Sequence, residues 1–192
     1  IDKAAYEVAA AEPKGAIVLF DFSAAFPSID HQYMWATLRK WGLPELVILF
    51  IQKFYFRCDN YIRHKGPPTW VFQVTSGGRQ GCPLSPALFA VTLAPALDEL
   101  QECLSAIDSR CKVWAYLDDV YLTVPKPGLH RVLGGAARAF RRFGLELNWT
   151  KTRIWCPHGV KEGIPHGCEA QVVEALPCLG STISFVRAAA DE

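Results

Sequence analysis

Three aspartates carry most of the chemistry that can be read from this sequence. Asp21 closes the apolar run AIVLFDF, and Asp118 and Asp119 sit side by side within CKVWAYLDDVYLTV. Val113, Tyr116, Val120, Tyr121, Leu122 and Val124 favour strands, so the Asp pair falls where a short hairpin turn belongs. Adjacent carboxylates repel, and one of them binds its proton more tightly unless a cation or hydrogen-bond donors take up the field. One reading is a water-facing Asp-Asp turn, because Asp tolerates turn geometry. The other applies if the strands of Asp21 and of the pair are neighbours. Three carboxylates then converge at one sheet edge and suit two divalent ions about 3.5–4 Å apart, which activate one oxygen and stabilise a leaving one. Magnesium fits such a site because it takes carboxylates together with phosphate oxygens and waters, without a full protein cage.

Positioning these groups requires a buried strand over Ala16–Phe22 and a hairpin around the Asp pair. The intervening sequence supplies further elements. SAAFPSID reads as a turn, followed by a helix from His31 to Trp41 with Ser28 or Asp30 as its cap and Gly42 at its end. A second helical pattern starts at Leu43, and a strand pair broken at Gly66-Pro67-Pro68 follows. Ser85 and Pro86 fit an N-cap and first helical position of a third helix running to Leu104, with a bend expected at Pro95. Leu129, Val132, Leu133, Ala136, Phe140 and Phe143 form one helical stripe that Gly144 terminates. LELNWTKTRIW reads as a strand, and VVEALPCLGSTISFV as a final strand pair turning at Gly180. The expected class is α+β, an antiparallel sheet backed by helices.

A hydrophobic share of 51% over 192 residues argues against disorder and for one packed domain spanning 1–192. No run of eighteen uncharged apolar residues is present and the N-terminal stretch lacks the basic-then-apolar order of a signal peptide, so a soluble protein without membrane contact is expected. Seven cysteines without a Cys-x-x-Cys pair suit free thiols in a reducing, intracellular compartment. Cys156, His158, His166 and Cys168 are candidate zinc ligands, although their one-residue spacing also suits an ordinary Gly/Pro loop. Net charge is only +1, yet the stretch from Lys126 to Lys161 holds eight basic residues against Glu146 alone. That block fits either a phosphate-facing surface or a solvated helix face.

The segments VLFDFSAAFPSIDH, SGGRQGCPLSPALFAV, AYLDDVYL and GLELNWTKTRIW stand in an order and spacing that resemble the reverse transcriptases, above all the non-LTR (LINE-type) retrotransposon enzymes. The resemblance runs from about Ala16 to Gly180. It implies a polymerase palm in which Asp21 and Asp118 bind two Mg²⁺ ions, with Mn²⁺ as a substitute and Asp119 as a supporting ligand or electrostatic partner. The implied reaction is attack of a DNA primer 3′-hydroxyl on the α-phosphate of a dNTP, directed by an RNA template.

By the same resemblance Phe26, five residues after Asp21, blocks a ribose 2′-hydroxyl, where residue type alone suits a core Phe equally well. Gln80 and Gly81 line the nucleotide pocket, Arg79 meets nucleic acid, Lys151 protonates the pyrophosphate, where residue type alone also suits a phosphate-binding or simply exposed lysine, and Leu179-Gly180 forms a hairpin that holds the primer end. For the glycines around Arg79-Gln80 a tight connection is the competing reading. Only twenty residues precede Asp21 and no thumb-sized helical segment follows Val186, so fingers and thumb are expected to be largely missing, and the chain to be a piece of a longer polyprotein that bears them, with an endonuclease as a further candidate partner. The rival expectations are an inactive or domesticated palm that binds nucleic acid or protein, and a maturase- or retron-type reverse transcriptase. A eukaryotic retroelement would place the protein in the nucleus.

Overall fold

A computed structural model describes residues 15–55, 58–79, 81–109, 111–125, 128–156, 171–179 and 181–184. These sort into two compact units. The first holds the described residues up to Ser23, Ala96–Arg142 and the described residues from Glu146 onward; the second holds Ala24–Pro95 and Phe143–Leu145.

The first unit is built on a five-stranded sheet ordered β4-β5-β1-β6-β7. Its strands are β1 (Gly15–Phe20), β4 (Lys112–Tyr116), β5 (Asp119–Pro125), β6 (Arg153–Trp155) and β7 (Val172–Val173). β1 takes the centre because its side chains are apolar on both faces: Ala16, Ile17, Val18 and Phe20 are all buried. It pairs antiparallel with β5, in a register that sets Gly15 opposite Pro125 and Phe20 opposite Val120. One step beyond that last pair, Asp21 continues one strand and Asp119 begins the other. The sheet is mixed, which corrects the antiparallel expectation: β6 and β7 run parallel, Ile154 beside Val172. The sixteen residues between Trp155 and Val172 are long enough for the crossover of about a dozen or more that a parallel pair requires.

Helices cover one face of this sheet. On α5 (Leu129–Arg142) the stripe read from the sequence is buried, and Phe140 meets Phe20 and Phe22 edge-on with centroids 5.9 and 4.9 Å apart. From α4 (Ser85–Ile107), Gln101 donates to the Cys111 carbonyl at 3.0 Å and accepts from the Val113 N–H at 2.9 Å, tying the helix to β4. On the opposite face the antiparallel ribbon of β8 (Ala175–Cys178) and β9 (Ser181–Ser184) brings Leu176 and Cys178 against Ile17, Tyr121 and Trp155.

The second unit contains α1 (Ala25–Ser28), α2 (His31–Lys40), α3 (Glu45–Tyr55), the hairpin of β2 (Cys58–Ile62) with β3 (Thr69–Val74), and the start of α4. Asp30 caps α2 by accepting the Tyr33 N–H at 2.8 Å, while Gly42 supplies the positive φ of 81° beyond its end. Three local expectations change. SAAFPSID holds the short helix α1 as well as a turn. LELNWTKTRIW is strand only at Arg153–Trp155, plus an isolated bridge of Leu147 to Phe22, because Asn148 folds the chain into a turn. Ser85 opens α4, but among the described residues its Oγ takes no backbone N–H and so does not cap the helix.

Candidate active site

The sheet register brings the three aspartates to one edge of the first unit. Asp21 leaves β1 with its backbone held: its carbonyl accepts the Asn148 N–H at 2.8 Å, and two residues on, the Ser23 N–H donates to the Glu146 carbonyl at 2.8 Å. Its carboxylate Oδ1 is buried and has no hydrogen-bond partner among the described residues. The hairpin turn is Leu117-Asp118 rather than the Asp pair, since Tyr116 pairs with Asp119 as β5 begins. Leu117 takes a φ of 54°, a left-handed conformation that costs a branched residue about 1–2 kcal/mol.

Electrostatics register how close the three groups stand. Burial pushes the Asp119 carboxyl above its ordinary range, and the charges of Asp118 and then Asp21 push it further. Burial, followed by the Asp119 charge and the Cys178 thiol, raises the Tyr121 phenol to about 12. Among the described residues no three His, Cys, Asp or Glu side chains are gathered tightly enough to enclose a metal ion by themselves. A buried carboxylate oxygen without a donor among the described residues, on a group whose charge reaches Asp119, nevertheless calls for a positive partner. Magnesium fits this hard, oxygen-only donor set, because it shares its shell with waters and phosphate oxygens.

Lys151 is exposed on the turn that holds Asp21. Its N–H donates to the Asn148 carbonyl at 3.2 Å, Thr152 N–H donates to the same carbonyl at 2.9 Å, and Thr150 Oγ1 bonds Asn148 Oδ1 at 2.7 Å. Asn148 is thus a positioning residue that the sequence reading missed. Its signal was the Asn-x-Thr-x-Thr spacing, which favours side-chain-closed turns over a strand. Leu179 is exposed with a φ of 45°, while Gly180 lies outside the described residues.

In the second unit the Gly-rich loop packs on the segment that carries Phe26. The Phe26 ring is half-buried and stacks on Phe89 with centroids 4.4 Å apart, and its carbonyl accepts the Gly78 N–H at 2.8 Å. Gly77 donates to the Ile29 carbonyl at 2.8 Å and accepts from His31 Nε2 at 2.8 Å. A Cβ on Gly77 would fall on the Pro27 backbone, and one on Gly78 would meet Ser85 Oγ. These two glycines therefore serve a tight connection. Gly81 differs: its φ is 80° and no described residue lies within 4 Å of where a Cβ would stand, so its backbone is open among the described residues. Arg79 is exposed, with Nη1 3.5 Å from the Phe54 carbonyl. Gln80 lies outside the described residues, as do His158, His166 and Cys168 of the candidate zinc set; Cys156 is buried. No described helix is long and apolar enough to cross a membrane.

Comparison with known proteins bears on this geometry. Residues 5–183 match the family described as reverse transcriptase (RNA-dependent DNA polymerase). The transposon TX1 149 kDa protein of Xenopus laevis is 30% identical over 112 residues, 56% of this chain and 9% of that protein. The retrovirus-related Pol polyprotein from the type-2 retrotransposable element R2DM of Drosophila melanogaster is 29% identical over 138 residues, 70% of this chain and 13% of that protein. The retrotransposable element SLACS 132 kDa protein of Trypanosoma brucei gambiense is 27% identical over 150 residues, 73% and 12% respectively. The chain thus spans about an eighth or less of the length of these relatives. The fold is also that of apo telomerase from Candida tropicalis, with a TM-score of 0.72 at 11% identity over 94% of this chain and 33% of the telomerase. With an α+β sheet that sets three carboxylates at one edge, and a family match over nearly its whole length, the chain belongs to the reverse transcriptase family and is homologous to non-LTR retrotransposon proteins.

Proposed function

We propose that this chain is the catalytic palm of an RNA-directed DNA polymerase, joining a dNTP to a primer 3′-hydroxyl on an RNA template. The observation that carries the reading is the field that Asp118 and Asp21 exert on Asp119 at one sheet edge, with Asp21 Oδ1 buried and, among the described residues, unpaired. These three residues would hold the magnesium, two ions in this reading. Bound there, it would make the 3′-hydroxyl a better nucleophile and neutralise charge building on the phosphate. The chain's own part is to aim the carboxylates through the β1–β5 register and to fix the Asp21 backbone through Asn148. Lys151, on that same turn, would give the pyrophosphate its proton. Leu179 and Gly180 would steady the primer end.

Residues of the second unit take the nucleotide roles. Phe26, held by Phe89 and Gly78, would exclude a 2′-hydroxyl; Gln80 and Gly81 would line the nucleotide pocket, and Arg79 would meet nucleic acid. Fingers, thumb and any endonuclease would come from the rest of a retroelement polyprotein acting in the nucleus, in keeping with the far greater length of the relatives.

In a polymerase carrying this segment, Asp21→Asn or Asp118→Asn is expected to lower RNA-templated extension by at least about a hundredfold. Near-normal extension by Asp118→Asn rejects the assignment. Mg²⁺ should also raise the melting temperature of the wild-type chain more than that of Asp21→Asn, since a ligand of the folded state alone stabilises it by mass action. Phe26→Val should raise ribonucleotide use relative to deoxyribonucleotide use. Unchanged discrimination with activity retained would leave Phe26 as a packing residue.

A further inference from the structure

Every residue from Tyr61 to Gln73 is exposed, although the stretch includes Tyr61, Ile62, Trp70, Val71 and Phe72. They belong to the hairpin of β2 and β3, whose strands pair only with each other among the described residues. A hairpin of two strands is marginal in water by itself, so apolar surface left open on it calls for an occupant.

Two features identify that occupant, and the first is a pair of rings. Tyr61 lies directly opposite Trp70, which puts both side chains on one face, 57% and 55% exposed. The Trp70 indole N–H donates to Asp59 Oδ1 at 3.0 Å, and Gln73 Nε2 donates to the same oxygen at 3.3 Å. Trp70 is thus pinned by its single polar atom while more than half of the residue stays open. Phe72 is 54% exposed as well, but the register shift between Asn60 and Tyr61 leaves it opposite Asn60, on the other face.

The second feature is charge. Arg63, His64 and Lys65 stand exposed at the hairpin tip, and no Asp or Glu follows Asp59 until Asp98. Asp59 itself is engaged by Trp70 and Gln73. Beyond β3 the chain runs on to Arg79, which is exposed too. Open rings beside cations that no acid balances match a polymer that alternates bases with phosphates: bases stack on the rings, and phosphates meet the cations. An apolar protein segment would gain nothing from those cations, and a duplex hides its base faces.

We propose that the Tyr61–Trp70 face, with Arg63 and Lys65 at its tip, binds single-stranded RNA by base stacking. The surface alone calls for a single strand. That the strand is RNA rests on the reverse transcriptase reading, in which it is template not yet copied.

The test uses the 192-residue chain and a fluorescein-labelled single-stranded RNA of mixed sequence, about 12 nucleotides long, within the length that one such surface covers. Fluorescence anisotropy follows binding without Mg²⁺ or dNTP. Trp70→Leu and Tyr61→Leu keep an apolar side chain and remove the ring, and each should weaken binding roughly tenfold, as loss of one stacked base does. Trp70→Phe should bring affinity back to within about threefold of wild type, because a ring is again present. Phe72→Leu, on the other face, should bind as wild type does. Joint Arg63→Gln and Lys65→Gln should flatten the slope of log affinity against log salt by about 1.4, at ~0.7 per phosphate of a single strand. These two changes lie in the exposed turn, so they keep the test decisive if Trp70→Leu fails to melt cooperatively. Against an RNA duplex of the same sequence, Trp70→Leu should make no difference. Failure of the polymerase reading shows separately, as extension retained by Asp118→Asn. Equal affinity of wild type, Trp70→Leu and Tyr61→Leu for the single strand overturns the proposal, as does binding to DNA of that sequence with none to RNA. Self-association of the wild type that Trp70→Leu abolishes while RNA affinity stays the same also overturns it, and makes the face a protein interface instead.

Discussion

The carboxylate edge of the first unit and the Gly77–Ser85 loop of the second are built in opposite ways. At the edge, strands far apart in the sequence are brought together by register, and the charges they deliver are left uncompensated. In the loop, backbone is pressed against backbone, and Gly77 alone makes hydrogen bonds to Ile29 and His31 while it touches Pro27. The edge is thus a chemical device resting on a sheet that would fold without its aspartates. At Gly77 and Gly78 the loop is a packing device whose shape is already used up by the protein. Substitutions at the edge should change chemistry far more than stability, and substitutions at these two glycines the reverse.

Gly77→Ala offers the largest stability effect and the hardest test of that contrast. The added Cβ meets the Pro27 backbone, which cannot swing aside, and a φ of 76° disfavours any side chain. A loss of about 3 kcal/mol is expected, or roughly 6–12 °C in melting temperature for a chain of this length. Asp21→Asn should move the melt by much less. A Gly77→Ala chain melting as wild type would mean that the loop is not clamped in this way. Gly78→Ala is expected to cost only about 1–2 kcal/mol, because its clash is with Ser85 Oγ, and a side chain can rotate. In a Ser85→Ala background most of that cost should vanish. Additive losses in the double-mutant cycle would show that Ser85 is not the obstacle.

The same contrast explains what the sequence could reveal. β1, α2, α3 and the α5 stripe were legible because burial leaves a one-dimensional period in the chain, and Asp21 was legible because it interrupts such a run. Leu117 in a left-handed turn was not: nothing in its residue type favours that conformation, and the neighbouring Asp pair is the more obvious turn former. In NWTKTRIW, Trp, Thr and Ile favour strands and masked the turn that Asn148 closes. The parallel seat of β7 beside β6 has no local signature, because a strand's partner is chosen by tertiary packing. Nor does His31 advertise, from its place after the Asp30 cap, that it will hold the Gly77 carbonyl.

The smallest effect, at Asp119, tests the edge most directly, because there the charge itself should cost stability. Its carboxyl titrates above the ordinary 3.8, so the folded chain binds this proton more tightly than the unfolded chain does. Below that ordinary value both states are protonated and the group is neutral in its effect. As pH rises through the window from 3.8 to the raised value, the unfolded chain loses the proton first, and the stability contributed by this group falls. Above the window a fixed penalty remains. Asp119→Asn should therefore melt higher than wild type at neutral pH, and the gain should disappear in acid. Because the Asp119 carboxyl is only partly desolvated and the residue is largely open to water, solvent and salt weaken both the burial penalty and the repulsion, and the gain should be no more than about 0.5 kcal/mol, or roughly 1–2 °C. About 1 M salt should shrink it, since the Debye length then falls to about 3 Å. Mg²⁺ should reverse it, because a cation at the edge turns a repelled carboxylate into a ligand. A melt for Asp119→Asn that is lower than wild type at neutral pH in the absence of Mg²⁺ would show that the third aspartate is held by donors rather than penalised by desolvation and by its neighbours.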